Sequence, residues 1–338
     1  MLTELNCSTG NDQHDVPFVF AGEGEMVRLV NEHRWEDTPL GPISAWPESI
    51  RSAVSIALGS TFQLVVLSGP ELVYIYNDAS SSIFGQKHPW ALGKPTSTVW
   101  AEAWETLGPM LLSVYETGRA LRHDDLLLVL QRHGYVEECY FTFSYSPVRS
   151  ASGITGVFLS VLETSERVVN ERRLRTLGKL AARVASERGE QVYAGLAEVL
   201  TDSRGDLPCS ALYLWDAGPG RARAVFHTGA EGGCIEAAGQ VARAMATGEV
   251  QEFDAGQMLA PGAAYGVWPE PPRHGLAFPL MLPGARRPSG VFVVGANPRQ
   301  ALDARHRSFL DFVAGHVATA LANAEAARIE QERLAAMA

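Results

Sequence analysis

The segment 135–148 alternates between two kinds of side chain, and this pattern limits the folds open to the chain more than any other feature. The large aromatic residues Phe141, Phe143 and Tyr145 recur at every second position, with polar residues between them. Successive side chains of a β-strand point to opposite faces, so this period predicts a strand that buries one face. We therefore expect a sheet with a core on that face.

Further strand and helix patterns surround this strand in a definite order. Pro and Gly residues interrupt the segment 77–104, so we expect short helices there rather than one long helix. The expected elements are helices at 25–30 and 49–58, strands at 63–67 and 72–76, short helices across 77–104, a helix at 104–118, and strands at 126–130, 135–148 and 155–162. Five antiparallel strands with helices inserted after the second form an α+β arrangement.

In the second half, long helical patterns stand before and after a further set of strands. Strands are expected at 211–215, 223–227, 276–282 and 290–296, between helical segments at 163–190, 192–200 and 301–338. Apolar residues recur at spacings of three and four along both long helices, as in a heptad seam that joins two helix copies. The candidate contacts of such a dimer are Leu174, Leu177, Val184, Leu310, Val313 and Val317.

The length of 338 residues is sufficient for two domains. We predict two α+β domains, each an antiparallel sheet flanked by helices, joined by a long helix. The predicted parts are a leader and helix at 1–36, a first domain at 37–165, a linker helix at 166–190, a second domain at 191–325, and a C-terminal helix at 326–338. The last helix has no stop signal, so we expect it to continue into an output domain.

Composition excludes several classes of protein. The net charge of −10, without a dense basic stretch, argues against nucleic acid as the main partner. The longest apolar runs are far shorter than the roughly 20 residues that span a bilayer, and the polar N-terminus is not a signal peptide. Four scattered cysteines, Cys7, Cys139, Cys209 and Cys234, lack metal-ligand spacing. These features predict a soluble, cytoplasmic protein without a metal site.

The first half resembles a PAS domain of bacterial sensor histidine kinases. The run from Phe62 to Ala79 is similar to the opening hairpin of such domains, and 85–95, 99–100 and 108–110 continue the likeness. The strand sequence 140–148 completes it. Glu163 and Thr164 stand where PAS domains carry an acidic-x-Thr signature at the exit into the signalling helix. The resemblance covers roughly 37–167 and implies the PAS fold.

The second half, about 174–327, resembles a GAF domain in the order of its elements. The best local matches are the strand sequences 211–216 and 290–295, followed by the closing helix from Asp303. In proteins that pair these domains, the last helix usually leads to a histidine-kinase dimerisation helix. The phosphoacceptor box and the ATP-binding Asn and Gly boxes of such kinases are missing from this sequence. We therefore expect the chain itself not to be an enzyme.

These resemblances imply a sensory input region, with a histidine kinase as the expected parent protein. Its helices would form a homodimer and transmit the effect of a small ligand or partner to the downstream output domain. Two alternatives remain open at this stage: a stand-alone PAS–GAF interaction module, and the input region of a cyclase or phosphatase. An enzyme with an unrecognised site in the PAS cleft is the least favoured.

The resemblance also indicates where a ligand would bind in the first half. The candidate pocket residues are Leu64, Val66, Tyr74, Tyr76, Asn77, Trp100, Phe141, Phe143 and Phe158. His88 could in principle ligate haem, but a hydrogen bond within its own loop is the favoured interpretation. The segment 77–93 lacks the reactive cysteine of a flavin light sensor, and neither Cys209 nor Cys234 has the flanking His of a bilin site. No cofactor is predicted, and haem, flavin and bilin are disfavoured.

Overall fold

The computed structural model describes residues 19–215, 222–229, 238–255 and 265–337. The chain divides into two compact units. The first runs to Tyr135 and resumes at Cys139–Thr164, and the second comprises Val136–Glu138 and the chain from Ser165 onward.

The first unit is a five-stranded antiparallel sheet flanked by helices, which confirms the expected α+β fold. The strand order is β2-β1-β5-β4-β3, so the first strand pairs with the last in the sheet's centre. The elements are α1 Glu25–Glu32, α2 Glu48–Leu58, β1 Leu64–Ser68, β2 Val73–Tyr76, α3 Ser81–Phe84, α4 Thr96–Val99, α5 Trp104–Thr117, β3 Leu121–Gln131, β4 Val136–Ser150 and β5 Gly153–Glu163. Short 3₁₀ turns join several of them.

Local sequence signals explain where these elements end. Helix α5 stops at Gly118, whose left-handed backbone (φ +67°) lets its N–H reach the carbonyl of Val114. Only a residue without a Cβ adopts this conformation without strain. The turn between β1 and β2 likewise contains Gly69 at φ +72°, followed by Pro70.

Apolar side chains cover both faces of the central strands. Helix α2 packs on one face, where the Ile50 side chain lies so close to Gly156 that a Cβ there would stand 3.0 Å from it. The other face carries the aromatic residues of β4 and lies against the α3–α5 region, whose Phe84 is buried with them. Strands β1 and β2 are buried over almost their whole length for this reason.

The second unit repeats this plan. Its strand order, β7-β6-β10-β9-β8, is again a five-stranded antiparallel sheet. The elements are α6 Ser165–Ser186, α7 Gln191–Asp202, β6 Cys209–Trp215, β7 Ala222–Thr228, α8 Ala238–Thr247, β8 Gln251–Asp254, β9 His274–Leu280, β10 Gly290–Gly295 and α9 Ala304–Met337. Helices α6, α7 and α9 contribute to the core on one face, and α8 packs on the other.

The placement of the predicted seam residues requires a correction. Val184, Leu310, Val313 and Val317 are buried in the core of the second unit, and Leu177 packs partly against it. They pack within their own chain because the three/four spacing also describes the buried stripe of any helix that covers a sheet. Leu174 alone of the six is exposed, at 67 %. Dimerisation stays a prediction, but these buried side chains cannot form its interface.

No helix within the described residues is long and apolar enough to cross a membrane.

Candidate functional site: an apolar cavity in the first unit

A cavity lies between the sheet of the first unit and its helices. The space open to the centre of a water molecule is about 50 Å³. Each of the five strands and the α3–α5 region contributes to its wall. The lining residues are Val65, Tyr74, Ile83, Phe84, Trp100, Leu107, Leu128, Leu130, Phe141, Phe143, Tyr145, Leu159 and Val161. None of them carries a charge at neutral pH.

Aromatic rings form one side of the cavity. The ring of Phe84 lies edge-on to Tyr74, with centroids 5.3 Å apart, and stacks on Tyr76 at 4.1 Å. The ring centroids of Trp100 and Phe84 are 5.6 Å apart, and Lys87 Nζ stands 4.2 Å from the ring centroid of Trp100. These contacts fix the rings, so the cavity has a defined shape.

Two tyrosine hydroxyls supply the polar groups of the wall. Trp100 Nε1 donates a hydrogen bond of 2.9 Å to the hydroxyl of Tyr74. Burial raises the pKa of Tyr74, and burial together with the neighbouring Tyr74 raises the pKa of Tyr145 well above its usual range. Both hydroxyls are therefore protonated at neutral pH and available as hydrogen-bond donors.

The nine predicted pocket residues fall into three groups. Tyr74, Trp100, Phe141 and Phe143 line the cavity. In the pairing of β1 with its neighbours, Val65 lies opposite Tyr76 and Leu159, so Val65 shares the cavity face. The residues on the opposite face of the same strands, which is the face that α2 covers, are Leu64, Val66 and Phe158.

Asn77 and Tyr76 have structural partners of their own. The amide of Asn77 donates to the carbonyls of Ser60 and Phe62, and its oxygen accepts from the backbone N–H groups of Leu64 and Ser80. It therefore closes the turn after β2 as a cap.

Tyr76 points toward the loop of His88 rather than into the cavity. Its hydroxyl shares a 2.9 Å hydrogen bond with His88 Nδ1. Burial, with a smaller effect of Glu25, raises the pKa of this tyrosine. The sequence favoured a hydrogen bond of His88 within its own loop, whereas the partner of its side chain is Tyr76 at the end of β2.

The exit from the first unit is held by an ion pair that sequence reasoning missed. Arg132, just beyond the end of β3, binds both carboxylate oxygens of Glu163 at 2.8 and 3.0 Å. The guanidinium also donates to the carbonyl of Ile83 and to Cys139 Sγ. The acidic residue of the exit signature, at the end of the central strand β5, is thereby tied to the end of the edge strand β3.

A second contact holds the neighbouring residue. The Thr164 hydroxyl donates a 2.8 Å hydrogen bond to Asp125 Oδ1, and the Thr164 N–H donates to the carbonyl of Tyr140. Asp125 lies in β3 with a positive φ of +51°, a strained conformation for a residue with a Cβ. The hydroxyl of Thr142 contacts both the N–H and the carboxylate of Asp125. Strain of this kind persists where neighbouring contacts enforce it.

In the second unit, the core face toward α8 is lined by small and apolar residues, among them Cys209, Ala244 and Val291. Burial raises the pKa of the Cys209 thiol to about 12, so it is a neutral, unreactive group at physiological pH. Cys234, the other cysteine weighed as a bilin site, lies outside the described residues. Across those residues, no His, Cys, Asp and Glu cluster has the geometry of a metal site.

Comparison with family models supports the GAF resemblance of the second half of the chain. Residues 190–322 match the family model of the GAF domain. This identifies a GAF domain in the second unit. No curated protein is significantly similar to the chain.

Solved structures with similar folds include both domain types. A GAF domain from an Acinetobacter phosphoenolpyruvate-protein phosphotransferase is 20 % identical over 45 % of this chain and 94 % of its own, with a TM-score of 0.34. The GAF domain of a putative sensor histidine kinase from Pseudomonas syringae pv. tomato is 19 % identical over 51 % and 96 %, with a TM-score of 0.32. A PAS domain from Colwellia psychrerythraea is 12 % identical over 34 % and 97 %, with a TM-score of 0.28.

Proposed function

We propose that this chain is the sensory input region of a bacterial signal-transduction protein. Its first unit is a PAS domain that receives a small ligand in the apolar cavity, and its second contains the GAF domain. The parent protein in this proposal is a two-component histidine kinase.

One observation carries the proposal: the strands that line the cavity also carry the exit contacts. Leu130 of β3 lines the cavity two residues before Arg132, and Val161 of β5 lines it two residues before Glu163. A ligand that displaces either strand therefore changes the geometry of the Arg132–Glu163 pair. Helix α6 begins at Ser165, directly after the pair's second member and Thr164.

A ligand shifts such an equilibrium only when it binds two arrangements with different affinities. The cavity supports this requirement, because residues of β3, β4 and β5 line it and a ligand inside it contacts these strands directly. The exit pair supplies a local contact that is either made or broken. The signal is then a change in how α6 leaves the sheet.

We further propose that the chain acts as a homodimer. The last turns of α9, from Glu330 to Met337, are exposed throughout, and Leu334 is 55 % exposed. A helical end of this length gains little stability alone in water, so a second copy of the helix is the partner we propose. Sedimentation should show a dimer that Leu334→Glu weakens and Glu330→Gln preserves. A wild-type monomer at high micromolar concentration would refute the homodimer.

The nature of the output is tested by reading the gene beyond the codon for Ala338. A dimerisation helix with a His-Glu box and an ATP-binding domain would establish the kinase. A cyclase or phosphatase domain would keep the sensory role and replace the kinase. A stop codon would instead favour a free-standing PAS–GAF interaction module.

A further inference from the structure

The cavity of the first unit has a specific polar character, which bears on what it binds. Among the described residues that line it, the hydrogen-bonding side chains are those of Tyr74, Tyr145 and Trp100. The indole N–H of Trp100 is already donated to Tyr74. What the wall can still offer a ligand is therefore the O–H of each tyrosine.

The two hydroxyls differ in how they are occupied. The oxygen of Tyr74 accepts from Trp100, so its own hydrogen is the donor that remains. Tyr145 is 3 % exposed, and its hydroxyl has no hydrogen-bond partner among the described residues. A tyrosine hydroxyl that donates to no protein group can donate its hydrogen to a ligand beside it. Such a group favours any occupant that accepts its hydrogen.

The two tyrosines belong to different strands of one wall. Tyr145 of β4 pairs with Leu159 of β5, and Leu159 pairs with Val65 of β1. Tyr74 lies on β2, on the other side of β1. Tyr145 is therefore the hydroxyl that an occupant can use without competing with Trp100.

The volume of the cavity and its uncharged wall restrict the class of ligand further. The cavity exceeds the roughly 10–15 Å³ that one ordered water needs by a few times, so it suits a molecule on the order of five non-hydrogen atoms. An apolar wall without a counter-charge penalises an ion strongly. A charged carboxylate or ammonium ligand is thus disfavoured, whatever its size.

Resting on the proposed ligand-sensing role of the cavity, we propose that its ligand is a small, uncharged, largely apolar molecule with one hydrogen-bond acceptor, held by the hydroxyl of Tyr145. A compact ketone has this chemistry. Its carbonyl oxygen accepts from Tyr145, and its alkyl groups contact Leu128, Leu130 and Val161.

Three small molecules of equal size separate the effects of a hydrogen-bond acceptor and of charge on binding to the cavity. Each has five non-hydrogen atoms: 2-butanone carries the acceptor, 2-methylbut-1-ene replaces the carbonyl by a CH₂ group, and propionate adds charge. Binding is followed by NMR on the full chain with labelled Leu and Val methyl groups. Saturable shifts at Leu128 and Val161 are the readout. The ketone's Kd should lie between micromolar and millimolar, as its few atoms allow.

Variants test the tyrosine directly. Tyr145→Phe keeps the ring and removes the hydroxyl, and it should weaken the ketone by about five- to tenfold while leaving the alkene unchanged. Tyr115→Phe, on α5 outside the cavity wall, is the matched control and should change neither. Leu128→Phe fills the cavity and should abolish binding of both neutral probes.

The outcomes separate the inference about the chemistry of the ligand from the proposed ligand-sensing role of the cavity. If the alkene binds as well as the ketone and Tyr145→Phe has no effect, the acceptor inference is overturned and the cavity remains a ligand site. If propionate binds more tightly than the ketone, the inference about charge is overturned. If no probe shifts the cavity methyl groups at millimolar concentration, the proposed ligand-sensing role fails as well.

Discussion

Replacing Glu163 by Leu removes a carboxylate that forms a bidentate ion pair with a buried guanidinium. Arg132 is 6 % exposed and Glu163 is 27 % exposed at the side chain. Breaking a fully buried pair by removing one partner costs about 3–5 kcal/mol of unfolding free energy. Because water reaches the partly exposed carboxylate side, we expect Glu163→Leu to cost about 2–3 kcal/mol.

The companion variant sharpens this expectation. Arg132→Leu should also destabilise, since it removes a cation that binds both oxygens of the carboxylate. The double variant removes both charges together, so it should lose less than Glu163→Leu alone, apart from the bonds to Ile83 and Cys139. The coupling energy from the cycle should therefore exceed about 1.5 kcal/mol.

Urea denaturation measures these differences, with tryptophan fluorescence as the signal. Five of the seven tryptophans lie in the first unit, at positions 35, 46, 90, 100 and 104, so the signal reports mainly on that unit. Additive losses, within about 0.5 kcal/mol, would refute the reasoning that the pair acts as one buried unit.

Three further predictions concern other residues. Burial, with Arg173, lowers the pKa of His306 from 6.5 to about 4, so the unfolded chain takes up the proton first. The His306 contribution to the free energy of unfolding of the second unit should be complete above pH 6.5, and up to about 3 kcal/mol of it should be lost as the pH falls to 4. Urea titrations should show a weaker pH dependence of this free energy for His306→Asn. An equal pH dependence in the variant and the wild type would contradict the prediction. In thermal unfolding, Asp125→Asn should be nearly neutral, whereas Asp125→Val should cost about 1–3 kcal/mol, because a β-branched residue is strained at positive φ; equal losses would count against the strain. Leu310→Ala should cost about 3 kcal/mol at any protein concentration, as a core residue does; a loss that grows on dilution would place Leu310 at a dimer interface instead.

The sequence predicted most clearly the elements that bury only one face. Strand β4 alternates visibly, so Phe141, Phe143 and Tyr145 could be assigned to a common face from the sequence alone. The end of α5 followed from the glycine at 118. These signals can be recognised from the sequence because each lies within one continuous segment.

The face of the sheet on which a residue lies was harder to predict where it depends on the pairing of two strands. Strand β1 is apolar on both faces, so its sequence does not indicate whether Val65 or its neighbours Leu64 and Val66 face the cavity. The register with Tyr76 decides this, and register is a property of two strands. Strand β8 lies at the sheet edge and has four residues, of which only Phe253 is apolar, so its sequence carries no strand pattern.

The exit contacts illustrate a further limit. Glu163 and Thr164 could be singled out from the exit signature, yet their partners Arg132 and Asp125 lie more than thirty positions earlier in the chain. No periodic pattern connects residues at such separations. Only the folded sheet brings β3 next to the exit.

The central claim is that the cavity communicates with the start of α6, and amide hydrogen exchange of residues 165–175 tests it most directly. Leu128→Phe fills the cavity, whereas Leu127→Phe places the same ring at an exposed position of the same strand and serves as the control. Leu128→Phe alone should change exchange at the start of α6, and Glu163→Gln should abolish the difference. Identical exchange in both variants would show that the cavity does not communicate with α6.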